Sequence, residues 1–224
     1  MVTLQEVSRC WTETLVIGHR GAAASSPENT LASFEAAIRC GAVGVECDVH
    51  VSRDGELIVI HDETLDRTTP LSGKVRETES ARMKAAGVPT LADYLAVTRG
   101  RALSVIELKD GSRVAEKVLD RLSHERMLGE AVVFSFRDDL LKPMLGNVFA
   151  VRLAGTRPSL EGCDGIGVAY EAVDEALVRE ARERRLPVFA WTVPPGPEVD
   201  RLKRLGVNFI VTNHPCEVRD QLAR

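Results

Sequence analysis

Aromatic residues make up only 4% of this 224-residue chain, and positive charge is not in excess. No run approaches the ~20 apolar residues that a membrane-spanning helix needs, so no stable membrane insertion is expected. The formal net charge of −4 argues against a nucleic-acid partner, which rewards clustered Lys and Arg. A small phosphate ester remains compatible, because a local cation overrides the global field. Five cysteines, Cys10, Cys40, Cys47, Cys163 and Cys216, are odd in number, scattered, and free of any CxxC pair. Neither a disulfide framework nor a zinc site is therefore expected, and reduced thiols in a cytoplasmic protein are the simplest reading. Residues 1–14 carry Glu6, Arg9 and Glu13 and no apolar core of a signal peptide. Linkers and low-complexity tracts are missing too. A hydrophobic content of 44% over this length predicts one domain, 1–224; a monomer or homodimer is expected, a choice that composition does not make.

What is present is a recurring unit: a short apolar, β-rich run followed by an amphipathic stretch of helical length. The runs are Thr14–Gly18, Gly44–Val49, Leu103–Glu107, Ala131–Phe134, Val148–Leu153, Gly165–Val168, Pro187–Thr192 and Val207–Thr212. Between them, Thr30–Cys40, Ser112–Ser123, Asp174–Arg185 and Glu198–Leu205 read as helices, with Gly41, Gly100 and Gly206 near helix ends. Apolar runs without strict alternation suit parallel strands covered on both faces. Eight of them predict an α/β fold, either a (β/α)8 TIM barrel or a doubly wound sheet. The first strand leads into His-Arg-Gly rather than a glycine-rich dinucleotide turn, which favours the barrel. Glu56–Ile60, after Asp54-Gly55, reads as an extra strand in a hairpin with the second barrel strand. The apolar-poor segment 62–88 is expected to cross the barrel mouth.

Chemistry gathers at the strand ends, where a barrel builds its active site. His19-Arg20 follows the first strand, a pairing suited to proton transfer beside a phosphate held by a guanidinium. Glu46 and Asp48 end the second strand and, at i and i+2, share one face. Glu107 and Lys109 end the third in the same way. Three carboxylates projecting together repel unless a cation lies between them. Oxygen ligands favour Mg²⁺ or Ca²⁺, and Lys109 supplies a point charge for a phosphate oxygen. His61, after the hairpin, gives a second proton-transfer group. His50, His124 and His214 have no comparable setting.

These residues resemble a known family. Residues 18–69, GHRGAAASSPENTLASFEAAIRCGAVGVECDVHVSRDGELIVIHDETLDRTT, are similar to the signature of glycerophosphodiester phosphodiesterases: HRG, PENT, ExD, the DG…HD hairpin and the RT that follows. PTL at Pro89–Leu91, IELK at Ile106–Lys109, SF at Ser135-Phe136 and WTV at Trp191–Val193 continue the family's order. The resemblance implies a single TIM barrel that hydrolyses glycerophosphodiesters to sn-glycerol 3-phosphate and an alcohol. It implies His19 and His61 as the acid–base pair, a divalent cation on Glu46, Asp48 and Glu107, and Arg20 and Lys109 on the phosphate. Glu28 and Asn29 would shape the first loop, and Trp191 would wall the glycerol moiety. It leaves open which histidine is the acid, and whether water or a substrate hydroxyl attacks.

The chain also departs from the family. Pro194-Pro195 follows WTV where Asn is frequent, and the tail reads Thr212-Asn213-His214-Pro215 where Thr-Asp is usual. The segment between His61 and Pro89 is short, so the insertion after the second barrel strand is expected to be reduced and the mouth open to bulkier head groups. Rival readings are a lysophospholipase D-like or sphingomyelinase D-like enzyme, disfavoured by the few aromatics available for a membrane-facing rim, and a non-catalytic phosphodiester-binding barrel, disfavoured because all five histidine and carboxylate positions are filled. A metal-dependent isomerase on the same barrel would not need two histidines flanking a phosphate clamp.

Overall fold

A computed structural model describes residues 11–109 and 113–224. Eight parallel strands close a ring: β1 (Leu15–Gly18), β2 (Gly44–Val51), β4 (Leu103–Leu108), β5 (Ala131–Ser135), β6 (Phe149–Ala154), β7 (Gly165–Ala169), β8 (Val188–Trp191) and β9 (Phe209–Thr212), with β9 pairing back onto β1. β3 (Leu57–Val59) lies outside the ring, antiparallel to β2. This is the TIM barrel the strand pattern predicts, and the extra strand forms its hairpin as expected.

Helices α1 (Leu31–Arg39), α3 (Leu91–Thr98), α4 (Val114–His124), α5 (Asp138–Leu141), α6 (Glu175–Glu183), α7 (Pro197–Leu205) and α8 (Pro215–Leu222) surround the ring. The expected helix start at Ser112 and the segment 1–10 lie outside the described residues. Local chemistry sets the boundaries. Thr30 caps α1 by accepting from the Ser33 N–H at 3.2 Å, and Thr90 and Asp93 form a reciprocal capping box on α3. Gly206 ends α7 at φ +81°, a left-handed turn that glycine takes without a Cβ clash.

Two apolar layers hold the barrel. Alternate strand residues such as Val45, Cys47 and Val49 face the helices. Their neighbours, among them Ile17, Leu103, Val105, Phe134, Phe189 and Phe209, fill the lumen. Phe189 stacks on Phe209 with centroids 4.4 Å apart and meets Phe134 edge-on at 5.2 Å. β7 contributes glycine on its inward positions. A Cβ on Gly167 would lie 2.3 Å from Leu153, so the absence of side chains there makes room for the large residues of β6 and β8.

The segment after β3 does not lie bare across the mouth. It folds around a small apolar cluster of Ile58, Ile60, Leu65, Val75, Met83 and Val88, with α2 (Ser80–Ala85) as its one short α-helix.

One expectation is corrected. Cys40, at the C-cap of α1, and Cys216, in the first turn of α8, form a disulfide with Cα atoms 4.7 Å apart. Their 176-residue separation hides the pair from any spacing rule, and only the closure of the ring brings the first and last barrel helices together. Cys47 and Cys163 are free, and Cys10 lies outside the described residues. Closing so long a loop stabilises by roughly 2–5 kcal/mol. Dithiothreitol should therefore lower Tm by on the order of 10 °C. Cys216→Ser should lower it equally and remove the sensitivity to reductant. A Tm unchanged by reduction would show that the two thiols are not bonded.

Candidate active site

The lumen rows continue past the strand ends, and the site is built on that continuation. In an extended chain, every second residue keeps the same face. Ile17 is followed on its row by His19, Phe134 by Phe136, Phe189 by Trp191, and Val211 by Asn213. On β2 and β4 the inward row is itself Glu46, Asp48 and Glu107, then Lys109. These rows converge on a cavity of about 160 Å³ at the C-terminal end of the barrel. One side is polar, made by His19, Arg20, Glu46, His61, Glu107 and Lys109, and the other is walled by Phe134, Phe136, Leu153 and Trp191. His19, His61, Glu46 and Glu107 line this cavity, and Asp48, fully buried, joins Glu46 and Glu107 in one cluster.

Glu46, Asp48 and Glu107 are buried and each offers an oxygen within 4.8 Å of the others. Burial pushes the Glu46 carboxyl well above its ordinary range, and Asp48 and Glu107 add repulsion. Burial, then Asp48, lifts Glu107 to about 7. Asp48 is also pushed up by burial, but Lys109 and Arg20 outweigh this and hold it at about 2. Lys109 Nζ lies 2.9 Å from Asp48 and 2.6 Å from Glu107, and Arg20 Nε lies 3.2 Å from Asp48. Two cations thus face three carboxylates. Glu46 Oε1 is buried with no hydrogen-bond partner. An oxygen-only cluster with an orphaned carboxylate oxygen and surplus negative charge fits a hard divalent cation.

The first loop holds this cluster from one side. Arg20 takes a left-handed backbone at φ 51° and donates its N–H to Glu46 Oε2 at 2.8 Å. Gly21 follows at φ +87°, where a Cβ would meet Ser33 Oγ at 2.3 Å, which explains why HRG ends in glycine. Asn29, buried and also left-handed at φ 55°, donates Nδ2 to Asp48 Oδ2 at 2.8 Å and accepts the Asp48 N–H at 3.3 Å. Glu28 accepts from Arg20 at 3.0 Å. Both PENT residues therefore act on the site as well as on the loop.

The two histidines have different partners. His19 Nδ1 lies 2.7 Å from the Asn213 side-chain oxygen, whereas His61 Nδ1 lies 2.7 Å from the Asp62 carboxylate. In each ring a donating Nδ1–H leaves Nε2 as the nitrogen available for proton transfer. Burial, reinforced by Arg20, lowers His19 to about 4. Burial also lowers His61, with Asp48 and Asp62 opposing.

Sequence reasoning gave no role to Asn213, Phe136, Asp62, Arg67 or His50. Asn213 and Phe136 follow Val211 and Phe134 on the lumen rows, one residue past β9 and β5. Phe136 is 50% exposed and packs edge-on against Trp191 at 5.5 Å, so the mouth does carry an aromatic lip despite the low aromatic content. His50 follows Glu46 and Asp48 on the same face of β2, where that strand pairs with β3; it does not line the cavity, but its Nε2 lies 3.0 Å from the His61 carbonyl oxygen and steadies that turn.

Cation binding must displace protons from Glu46 and Glu107, so affinity should tighten as pH rises from about 6 to about 8. The sign follows from the raised Glu107 value of about 7. Its neutral form is the one the metal-free fold favours, and that stabilisation is lost as pH climbs through this value. Added Mg²⁺ or Mn²⁺ should raise Tm more at the higher pH, with proton release seen by calorimetry in two buffers. Glu46→Gln should raise the metal-free Tm by roughly 3–8 °C, about 1–2 kcal/mol, and abolish the shift caused by the cation. Equal cation shifts at both pH values would contradict the assignment.

Residues 19–133 match the Glycerophosphoryl diester phosphodiesterase family. A glycerophosphodiester phosphodiesterase of Bacillus altitudinis is 34% identical, over 93% of this chain and 99% of its own. The structure of a glycerophosphodiester phosphodiesterase from Agrobacterium tumefaciens superposes with a TM-score of 0.82 at 27% identity, covering 92% of this chain and 99% of that one. A phosphodiesterase from Oleispira antarctica, solved in complex with the product sn-glycerol-3-phosphate, shares the fold with a TM-score of 0.84 at 24% identity, over 95% and 98% of the two chains. The family match runs from His19 through both ends of the carboxylate cluster and the histidine hairpin, and on that ground the chain belongs to the glycerophosphodiester phosphodiesterase family of enzymes.

Proposed function

We propose that this site hydrolyses glycerophosphodiesters to sn-glycerol 3-phosphate and an alcohol, with His19 as general base and His61 as general acid. The observation that carries this reading is the unequal pairing of the two histidines at one cavity. The neutral amide oxygen on His19 stabilises an imidazolium less than a carboxylate would, and burial, reinforced by Arg20, outweighs it and keeps that ring unprotonated and ready to accept. A carboxylate on His61 favours the charged ring that a proton donor must be.

A divalent cation, Mg²⁺ or Ca²⁺ by its oxygen ligands, would be held by Glu46, Asp48 and Glu107 and would supply charge neutralisation at the phosphoryl oxygens. Arg20 and Lys109 would bind the remaining phosphate oxygens. His19 takes the proton of the attacking oxygen as its bond to phosphorus forms. The ester bond on the far side breaks, and His61 gives its proton to the departing alkoxide. Trp191 and Phe136 wall the apolar side, where the carbon skeleton of one ester arm would lie. The half-exposed Phe136, packed on Trp191, also supports a second reading, in which lysophospholipids are taken with their acyl chain on this lip.

The test is release of glycerol 3-phosphate from glycerophosphocholine by EDTA-stripped protein after Mg²⁺, Ca²⁺ or Mn²⁺ is restored. His19→Ala and His61→Ala should each lose on the order of 10²–10⁴ in kcat. A p-nitrophenyl diester, whose leaving group needs no proton, should restore most of the rate to His61→Ala and none to His19→Ala. The reverse pattern would exchange the two roles. Activity on lysophosphatidylcholine that exceeds the glycerophosphocholine rate and falls in Phe136→Ser would favour the second reading.

A further inference from the structure

The Arg67-Thr68 pair after the hairpin belongs to the sequence signature, yet the reaction above gives it no task. Arg67 lies outside the catalytic cavity, with 48% of its side chain exposed. Its guanidinium spans two carboxylates. Nε and Nη2 donate to Asp62 at 2.6 and 3.1 Å, and Nη1 and Nη2 donate to Glu28 at 2.9 and 2.7 Å. Each carboxylate has a second commitment. Asp62 Oδ1 accepts from His61 Nδ1 at 2.7 Å, and Glu28 Oε1 accepts from Arg20 at 3.0 Å. An unbroken chain therefore runs from His61 through Asp62, Arg67 and Glu28 to Arg20, joining residues 61–67 after the hairpin to the first loop.

We propose that Arg67 is a positioning residue, a planar clamp that fixes the proton donor His61 and the phosphate ligand Arg20 relative to each other through Asp62 and Glu28. This rests on the assignment of His61 as general acid. Asp62 and Glu28 are partly open to water, at 28% and 21% side-chain exposure, and without a clamp each would sample several rotamers. Solvent screens the net charge of an exposed arginine, so its contribution is geometric rather than coulombic. The planar fork gives each of the two carboxylates a pair of hydrogen bonds, a fixed geometry that a lysine ammonium does not reproduce.

A simpler account is that Arg67 only pins its segment to the barrel. The segment has other anchors. Leu65, two residues earlier, is fully buried in the cluster with Ile58, Ile60 and Met83, and its N–H donates to the Gly73 carbonyl at 2.9 Å. The fold around residue 67 therefore survives loss of the guanidinium, and the effect of its removal falls on the site.

The experiment compares Arg67→Met and Arg67→Lys with the wild type as cation-loaded enzyme. In Arg67→Met, kcat on glycerophosphocholine should fall by about 10- to 100-fold, as expected when a catalytic group is displaced by a fraction of its bond length. On the p-nitrophenyl diester it should fall by less than about threefold, because no proton donor is needed there and Arg20 keeps its own contacts with Asp48 and Glu46. Arg67→Lys should recover only part of the loss. A second readout needs no turnover. In ¹⁵N-histidine spectra, His61 should be a single Nδ1–H tautomer in the wild type and a mixture in Arg67→Met. Equal losses on both substrates, or a His61 tautomer unmoved by the substitution, would overturn the proposal. A wild type that releases no glycerol 3-phosphate, while its His61 tautomer still depends on Arg67, would instead overturn the phosphodiesterase reading and leave the clamp standing.

Discussion

Three carboxylates in the low-dielectric end of an aromatic-filled barrel repel one another, and nearly everything at the mouth answers that repulsion. Glu46, Asp48 and Glu107 arrive there because β2 and β4 are in register, with Asp48 opposite Glu107. The phenylalanines below exclude water that would otherwise screen them. Lys109 and Arg20 lean into the cluster, Asn29 ties down Asp48, and Arg20 accepts a left-handed backbone so that its N–H reaches Glu46. Such an arrangement is costly without a cation and is retained where its charge is used. The stability of the apolar barrel below is what tolerates it.

Much of this was legible in the sequence, because the signals were local. Every expected strand forms, and Glu46/Asp48 and Glu107/Lys109 share their faces through two-residue alternation alone. The reduced insertion was visible as a short interval between His61 and Pro89, although its own apolar cluster was not, since Leu65, Val75, Met83 and Val88 are too dispersed to show a period. What escaped were relations across the ring. Asn213 meets His19 over a separation of 194 residues, and Cys40 meets Cys216 over 176. No window along the chain contains both members of either pair. The tail departure from Thr-Asp to Thr-Asn could be noted as a loop change, but its meaning needed the geometry that puts residue 213 on a histidine nitrogen.

That departure gives the two histidines chemically different partners. A carboxylate on each would leave the rings electrically similar. Here one ring leans on an amide and the other on a carboxylate that is itself shared with an arginine, so the pair is asymmetric before any substrate arrives. The asymmetry comes from Asn213 and Asp62, placed by the end of β9 on one side and by the β3 hairpin on the other.

The bond between Cys40 and Cys216 makes the barrel's seam covalent. β9 and β1 already meet through backbone pairing, but that pairing joins opposite ends of the chain, and such a closure is the first to fray when a barrel loosens. With α1 and α8 stapled together, the ring behaves as a hoop with no free end, and Asn213 sits three residues from the clasp. The thiol chemistry of the surroundings therefore acts as a dial on the stiffness of the wall that carries His19's partner. Oxidising conditions fasten the hoop, and reducing ones return it to a belt held by strand pairing and apolar packing.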